Sequence, residues 1–259
     1  MAAQMTDWNP GAYARFRGLR LRPAMDLLAQ VGGIPDGVVV DLGCGDGAVA
    51  PPLRQAFPGH DLIGIDSSPA MLAQARGYDR TEVCDIADWQ MKGTVALIFS
   101  NAALHWLGDH ARLLPRLAAN LMPGGVLAVQ MPDQFLAPSH RILRDLAETM
   151  FPDRFDFADY HPPVLTAAEY WDILAPLGVA TIWETTYLQP LSASTAGHPV
   201  RAFTESTAMR PFLAQLDPEA AQAFTGAYDA ALAVPYPIQP DGGALMPFRR
   251  LFMVLRVTG

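Results

Sequence analysis

The run VVVDLGCGDGAVA at 38–50 brings carboxylates and glycines together where a buried strand gives way to a helix. Three valines lead into Asp41, and Gly43, Gly45 and Gly47 then alternate with Cys44 and Asp46. Glycines so spaced permit left-handed backbone and let a ligand approach the main chain closely. A second β-rich run, LIGID, ends in Asp66, nineteen residues after Gly47, the spacing at which Rossmann-type sites hold a ribose diol. A third acid, Asp85 in EVCDIADW, follows another short strand. It can accept a hydrogen bond from an adenine amine, while Ile86 offers an apolar flank and a backbone N–H. Each acid alone reads equally well as a cap, a turn residue or a solvated loop residue. The ordered set, each at a strand end, points to a nucleotide site.

The glycine spacing also bears on which nucleotide. Dinucleotide sites use G-x-G-x-x-G and aim a helix N-terminus at a pyrophosphate. Here the pattern is G-x-G-x-G with Asp41 and Asp46 beside it, a poor setting for an anion. S-adenosylmethionine has no phosphate and carries an amino group and a sulfonium, so carboxylates around the turn suit it better. A dinucleotide oxidoreductase is the competing enzyme class, and a cofactor-binding scaffold without catalysis is the competing non-enzyme.

Those residues need strands and helices to hold them. Short β-rich runs alternate with helical segments, the pattern of parallel βαβ units. Strands are expected at 38–42, 61–65, 81–83, 95–99 and 126–130, with longer ones at 180–188 and 251–257. Ser68-Pro69 predicts a helix start before MLAQAR, Thr166 with Glu169 a capping box on a helix that Gly178 closes, and Asp217-Pro218 another start. Pro115 is expected to bend or split the helix over 109–121, and Pro51-Pro52 to shorten the one after the first strand. The segment 189–248 reads as a mostly helical insert that can serve as a lid. The whole chain, 1–259, then reads as one domain, with 1–31 as an N-terminal helical flap.

Bulk properties narrow the classes further. With 259 residues, 51% hydrophobic and 17% charged, the chain can build a large core. No apolar run is long enough to span a membrane, and MAAQMTDWNP lacks the features of a secretory signal. The arginines at 15, 17, 20 and 22 read as an amphipathic helix rather than a transit peptide. A net charge of −8 argues against nucleic acid as a partner. Cys44 and Cys84 have no metal-ligand or disulfide pattern, so a reduced cytoplasmic setting without a metal is expected. Lys92 is the one lysine among eighteen basic residues, and arginine forks suit carboxylates.

The glycine turn, Asp66, Asp85 and LMPGGVLAVQ at 121–130 resemble the shared motifs of the class I methyltransferase family. That resemblance implies an α/β, Rossmann-like, doubly wound, mostly parallel seven-stranded sheet with an antiparallel edge hairpin, and S-adenosylmethionine as donor. Other segments are similar to a branch of that family that esterifies a carboxylate of trans-aconitate. They are DWNPGAYARFRGLRLRPAMDLLAQV, IDSSPAML, NAALHWLGDH, VLAVQMPD, MRPFLAQL and FRRLFMVLR, and they span nearly the whole chain. The similarity implies a small polycarboxylate acceptor, with another small-molecule acceptor as the alternative. Donor contacts would come from Trp8, Tyr13, Arg22, Asp41, Gly43, Gly45, Asp66, Ser67, Met71, Asp85, Ile86 and the backbone of Asn101. His105, Trp106, Arg20, Arg210 and Arg250 would form the methyl-transfer pocket, the arginines neutralising acceptor carboxylates. Two features depart from the branch: His105 stands where glutamine is expected, and Pro51-Pro52 is unusual.

Overall fold

All seven expected strands join one sheet in the computed structural model, which describes residues 17–91, 93–205 and 207–258, with side chains from Leu21 onward. They are β1 (Val38–Leu42), β2 (Leu62–Asp66), β3 (Arg80–Val83), β4 (Val95–Asn101), β5 (Leu121–Pro132), β6 (Gly178–Leu191) and β7 (Ala244–Val257). Their order is β3-β2-β1-β4-β5-β7-β6. β1 pairs in parallel with β2 on one side and β4 on the other. The chain order therefore reverses at β1, and in doubly wound sheets ligands bind beyond the strand ends at that switch point. β7 runs antiparallel to β5, with Gln130 opposite Phe252 and Pro132 opposite Arg250. β1 and β4 are buried along almost their whole length, as strands covered on both faces must be.

The helices are α1 (Arg17–Leu28), α2 (Ala50–Ala56), α3 (Pro69–Leu72), α4 (His110–Ala118), α5 (Pro138–Met150), α6 (Ala167–Leu174), α7 (Pro199–Thr204), α8 (Arg210–Leu213) and α9 (Pro218–Leu232). Pro51 and Pro52 fall in the first turn of α2, where the missing N–H groups have no intrahelical partner anyway. Thr166 and Glu169 form the capping box of α6, and Asp217 caps α9 through the Ala220 N–H. Ser68 caps α3, but the helix stops at Leu72 instead of running through MLAQAR. Backbone atoms of Arg76 lie 3.0 Å from where a side chain on Gly47 would begin, so the chain must turn there against the glycine loop. Gly178 opens β6 rather than closing α6, which ends in a 3-10 turn over Ala175–Leu177. Pro115 lies inside α4 without splitting it; Leu113, Leu114 and Leu117 around it are buried and hold the helix together.

Two compact units divide the chain. The first contains β1–β5, together with Pro163–Thr185 and the chain from Arg250 onward. The second contains Asp133–Pro162 and Thr186–Arg249, a wider span than the 189–248 insert the sequence suggests. The reason is the packing of α5 on α9: the Tyr228 hydroxyl donates to the Ser139 carbonyl (2.8 Å), and the Ser139 N–H donates to the Tyr236 hydroxyl (3.1 Å). Phe151, Phe155, Phe157, Phe212 and Phe224 form a ring cluster inside this unit. Its three helices within 189–248 have 6, 4 and 15 residues, and both ends of that segment belong to strands. No helix among the described residues is long and apolar enough to cross a membrane.

Candidate active site

The glycine turn sits where β1 ends, and Gly43, Gly45 and Gly47 all take positive φ. Gly43 cannot be replaced without displacement: a Cβ there would stand 2.2 Å from the Ala103 Cβ and 3.4 Å from the Ile86 Cδ1. The loop after β4 and the Ile86 side chain thus press directly on the turn. The Gly43 and Cys44 N–H groups both donate to the Ile65 carbonyl (2.8 and 2.9 Å), which ties the turn to the end of β2.

Asp66 ends β2 and accepts from the Gly45 N–H (2.8 Å) and the Ser68 N–H (2.9 Å), one on each carboxylate oxygen. Two backbone donors fix its plane, and each oxygen retains a lone pair for a ligand. Ser67 is exposed next to it, and the buried Met71 places its Cε 3.3 Å from where a Cβ of Gly45 would be. Asp85 is exposed, with one oxygen accepting from the Ala87 N–H (2.8 Å). Ile86 is buried, and its carbonyl and that of Trp89 accept from Arg116 (2.7 and 3.1 Å), which pins this loop.

Asp41 lies near the end of β1, as expected, but its side chain is enclosed. It is 1% exposed, and the Tyr78 hydroxyl donates to its Oδ2 (2.6 Å). Burial pushes its carboxyl up to about 7; the Tyr78 hydrogen bond opposes this and the nearby Asp66 charge adds to it. The cause is register, because Asp41 lies between Gly64 of β2 and Phe99 of β4, inside the sheet. It braces the turn from beneath rather than presenting an open carboxylate to a cationic ligand.

The loop between β4 and α4 is held under strain. Ala102 and Asp109 are the two non-glycine residues with positive φ among the described residues, and they bracket the 3-10 turn Leu104–Trp106. Such outliers persist only where surrounding structure forces them. Here the Ala102 N–H donates to the Gln130 carbonyl (2.8 Å), and the His110 Nε2–H donates to the Leu104 carbonyl (3.0 Å). That second bond leaves Nδ1 of the buried His110 to accept from the Tyr170 hydroxyl. His105 is 8% exposed, its ring 4.7 Å from that of Trp106, which is exposed. Burial first, then the Arg250 charge, depress the His105 imidazole to about 3, so it is uncharged at neutral pH. Arg250 itself is 4% exposed at the start of the paired part of β7.

The structure thus brings Gly43, Gly45, Asp66, Ser67, Met71, Ile86, Asn101, His105 and Arg250 to one end of the sheet in the first unit, with Asp85 and Trp106 at its rim. Arg22 is exposed on α1. Arg210, half-buried, opens α8 in the second unit. Trp8, Tyr13 and the side chain of Arg20 lie outside the described residues. Two residues went unnoticed in the sequence. Tyr78 has no local signal, since its partner is 37 residues away. Gln130 did have one: it is the lone amide at the end of the apolar run VLAV. It is 1% exposed, and among the described residues neither its Oε1 nor its Nε2 meets a hydrogen-bond partner, nor does Oδ1 of Asn101 beside it.

A sheet in this order, with a glycine turn at its switch point and an acid ending the next strand, defines the Rossmann-like methyltransferase fold. Residues 13–180 match the family model described as a methyltransferase domain. The chain is 44% identical over 261 residues to a trans-aconitate 2-methyltransferase of Methylobacterium nodulans, covering 98% of this chain and 100% of that one. It is 42% identical over 257 residues to a protein of the same name from Klebsiella pneumoniae, covering 97% and 98%. Among solved structures it resembles a Haemonchus contortus phosphoethanolamine N-methyltransferase 2 in complex with S-adenosyl-L-methionine. That match has a TM-score of 0.59 at 17% identity, and covers 99% of this chain and 59% of the other. The chain belongs to the trans-aconitate 2-methyltransferase family of S-adenosylmethionine-dependent methyltransferases.

Proposed function

We propose that this chain transfers a methyl group to a carboxylate of trans-aconitate, or of a closely related small polycarboxylate. The observation that carries the reading is Arg250, a nearly fully buried cation at the strand ends beside an imidazole that burial keeps uncharged. A buried guanidinium suits an anionic acceptor through paired, charge-assisted hydrogen bonds. The names of the family relatives point to the same acceptor.

The donor fits the residues present. The glycine turn keeps its backbone bare and in a left-handed conformation at the end of β1, and Asp66 is a carboxylate held in plane with lone pairs to spare. Asp66 would hold the ribose diol, Ile86 and Asp85 the adenine, and Met71, Ser67 and Asn101 the remaining edges. When bound, S-adenosylmethionine supplies an electrophilic methyl group on a sulfonium. An acceptor carboxylate is already ionised at neutral pH, so the protein needs no general base. Its residues must orient one carboxylate oxygen, neutralise the others and exclude water. Arg250 would do the neutralising in the first unit, with Arg20 and Arg210 assigned to the same task on their sequence positions. Segment 1–31, through Trp8, Tyr13 and Arg22, would cover the donor, and segment 189–248 would serve as a lid. A reduced, cytoplasmic setting accords with two free thiols, Cys44 and Cys84.

The test is a methyl-transfer assay with a panel of mono-, di- and tricarboxylates and one apolar alcohol, the products read by mass spectrometry. Fastest turnover on trans-aconitate or another tricarboxylate is expected. Equal or faster turnover on the apolar acceptor would overturn the carboxylate reading while leaving the methyltransferase assignment intact.

A further inference from the structure

Gln130 is a polar side chain in the wrong place for a structural residue. It stands at the end of β5, flanked by β4 and β7, with both amide atoms buried and unpartnered among the described residues. Buried polar groups are almost always hydrogen-bonded, so an exception calls for a missing partner. An apolar side chain of the same length would fill the space at lower cost.

The register shows what that partner must face. Residues directly paired across strands point to the same side of a sheet. Asn101 pairs with Gln130, Gln130 with Phe252, and Pro132 with Arg250. Alternation along β7 puts Arg250 on the same side as Phe252. Asn101, Gln130 and Arg250 therefore share one face at the same end of three adjacent strands. Gln130 and Arg250 are diagonal neighbours, within reach of a common ligand for side chains of this length. Phe252, directly opposite Gln130, is fully buried, and its ring stacks against that of Trp183 on the next strand with centroids 4.8 Å apart. His105, near enough to Arg250 for the guanidinium charge to depress it, lies on the neighbouring loop.

We propose that the Gln130 amide, with Asn101 beside it, binds a non-reacting carboxylate of the acceptor next to Arg250, and so sets which acids the enzyme accepts. The Nε2 protons donate to a carboxylate oxygen. The Oε1 and the Asn101 Oδ1 are acceptors that favour a hydroxyl or a protonated carboxyl on the same ligand and disfavour a second bare anion there. This rests on the acceptor reading above.

Three proteins test it: wild type, Gln130→Met and Gln130→Glu. Gln130→Met keeps the length and removes the amide. It is expected to raise the acceptor KM at least tenfold, with little change in kcat or in S-adenosylhomocysteine affinity by titration calorimetry. Its melting temperature without ligand should equal or exceed that of wild type, because an unpartnered amide has been removed. Gln130→Glu puts a carboxylate where the acceptor's would sit. Its KM penalty should grow with the number of carboxylates on the acceptor, a trend that general loosening of the strand would not produce. Wild type that turns over trans-aconitate while both variants keep its KM overturns the inference and leaves the acceptor reading standing. A loss of donor affinity equal to the loss in KM also overturns it, because the amide would then serve the donor. Wild type with no carboxylate turnover at all overturns the acceptor reading, and the inference with it.

Discussion

The two ends of this strand-edge region are built on opposite terms. Around β1 and β2 the two strand-end acids have partners supplied by the chain: Asp66 takes two backbone N–H groups, and Asp41 takes the Tyr78 hydroxyl. Around β5 and β7 buried polar atoms of Asn101 and Gln130 meet none among the described residues, and a guanidinium and an imidazole are buried beside them. The first end is a finished mould formed mainly by backbone, and a ligand entering it has little to rearrange. The second end carries unmet hydrogen-bonding capacity, costing about 1–3 kcal/mol per buried group until a ligand meets it. A site that must hold a common donor can be rigid and self-satisfied. A site that must choose among acceptors gains selectivity by leaving polar groups that only the right ligand completes.

The sharpest way to separate the two ends is to break each and read both ligands. Arg250→Met should lower kcat/KM for trans-aconitate by about 30-fold or more, since removing one partner of a desolvated charge pair costs about 2–5 kcal/mol. Arg210→Ala is expected to raise the acceptor KM in the same direction, and Arg210→Lys to restore only part, because an ammonium lacks the planar fork. Neither should alter S-adenosylhomocysteine binding, and a parallel loss of donor affinity would dissolve the distinction between the ends. Gly43→Ala attacks the other end. A Cβ at φ +82 that meets Ala103 at 2.2 Å combines left-handed strain with overpacking, together about 3 kcal/mol. Lower unfolding free energy in urea and weakened donor binding are expected, and an unshifted urea midpoint would show that the β4 loop yields freely.

The same contrast explains what could be read from the sequence. The donor end was legible because its logic is local: valines before Asp41 mark the strand, alternating glycines the turn, and β1 spans Val38–Leu42 as expected. The capping box at Thr166 and the cap at Asp217 are equally local and were equally visible. The surroundings of Asp41 were not legible because they depend on Gly64, Tyr78 and Phe99, none of them near it in sequence. The stop of α3 at Leu72 depends on the fit of Arg76 against Gly47, which no propensity encodes. The breadth of the second unit depends on hydrogen bonds joining Ser139 to Tyr228 and Tyr236, across about ninety residues. Gln130 was visible as a polar residue in an apolar run, but its isolation is a property of the assembled face.

Asp41→Asn tests whether the donor end is as self-contained as it looks. The wild-type carboxyl is raised from 3.8 to about 7, chiefly by burial. A raised folded value means the carboxyl contributes stability that is fully present below 3.8 and is lost as pH climbs through about 7. The full shift caps the change at about 4 kcal/mol, and relaxation around the charged form brings it nearer 2 kcal/mol. Asparagine keeps an oxygen for the Tyr78 hydroxyl and does not titrate. Urea unfolding at pH 5 and pH 8 should therefore show wild type losing stability relative to Asp41→Asn on going to pH 8. Equal differences at both pH values would mean that Asp41 stays ionised and partnered throughout.

The smallest expected effect concerns His105, and it separates shape from acid–base chemistry at the acceptor end. Its depressed value of about 3, caused first by burial and then by the Arg250 charge, leaves the ring uncharged from pH 5 to pH 8. A conjugate acid that strong makes a poor base, and a carboxylate acceptor has no proton to remove. His105→Gln keeps hydrogen-bonding groups on a side chain of similar reach. It should retain activity within about tenfold of wild type, where loss of a working general base typically costs 10²- to 10⁴-fold. Above pH 5 both proteins should show flat kcat profiles with no limb near 6.5, since burial and the Arg250 charge hold the His105 ring neutral over that range. His110, the other ring close by, is also depressed by burial and is fixed between Leu104 and Tyr170, so it supplies no limb either. A wild-type limb near 6.5 that vanishes in His105→Gln, together with a large drop in kcat, would make His105 a proton acceptor. The acceptor would then have to be a neutral group, and the contrast between a finished donor end and a carboxylate-seeking acceptor end would fail at its second half.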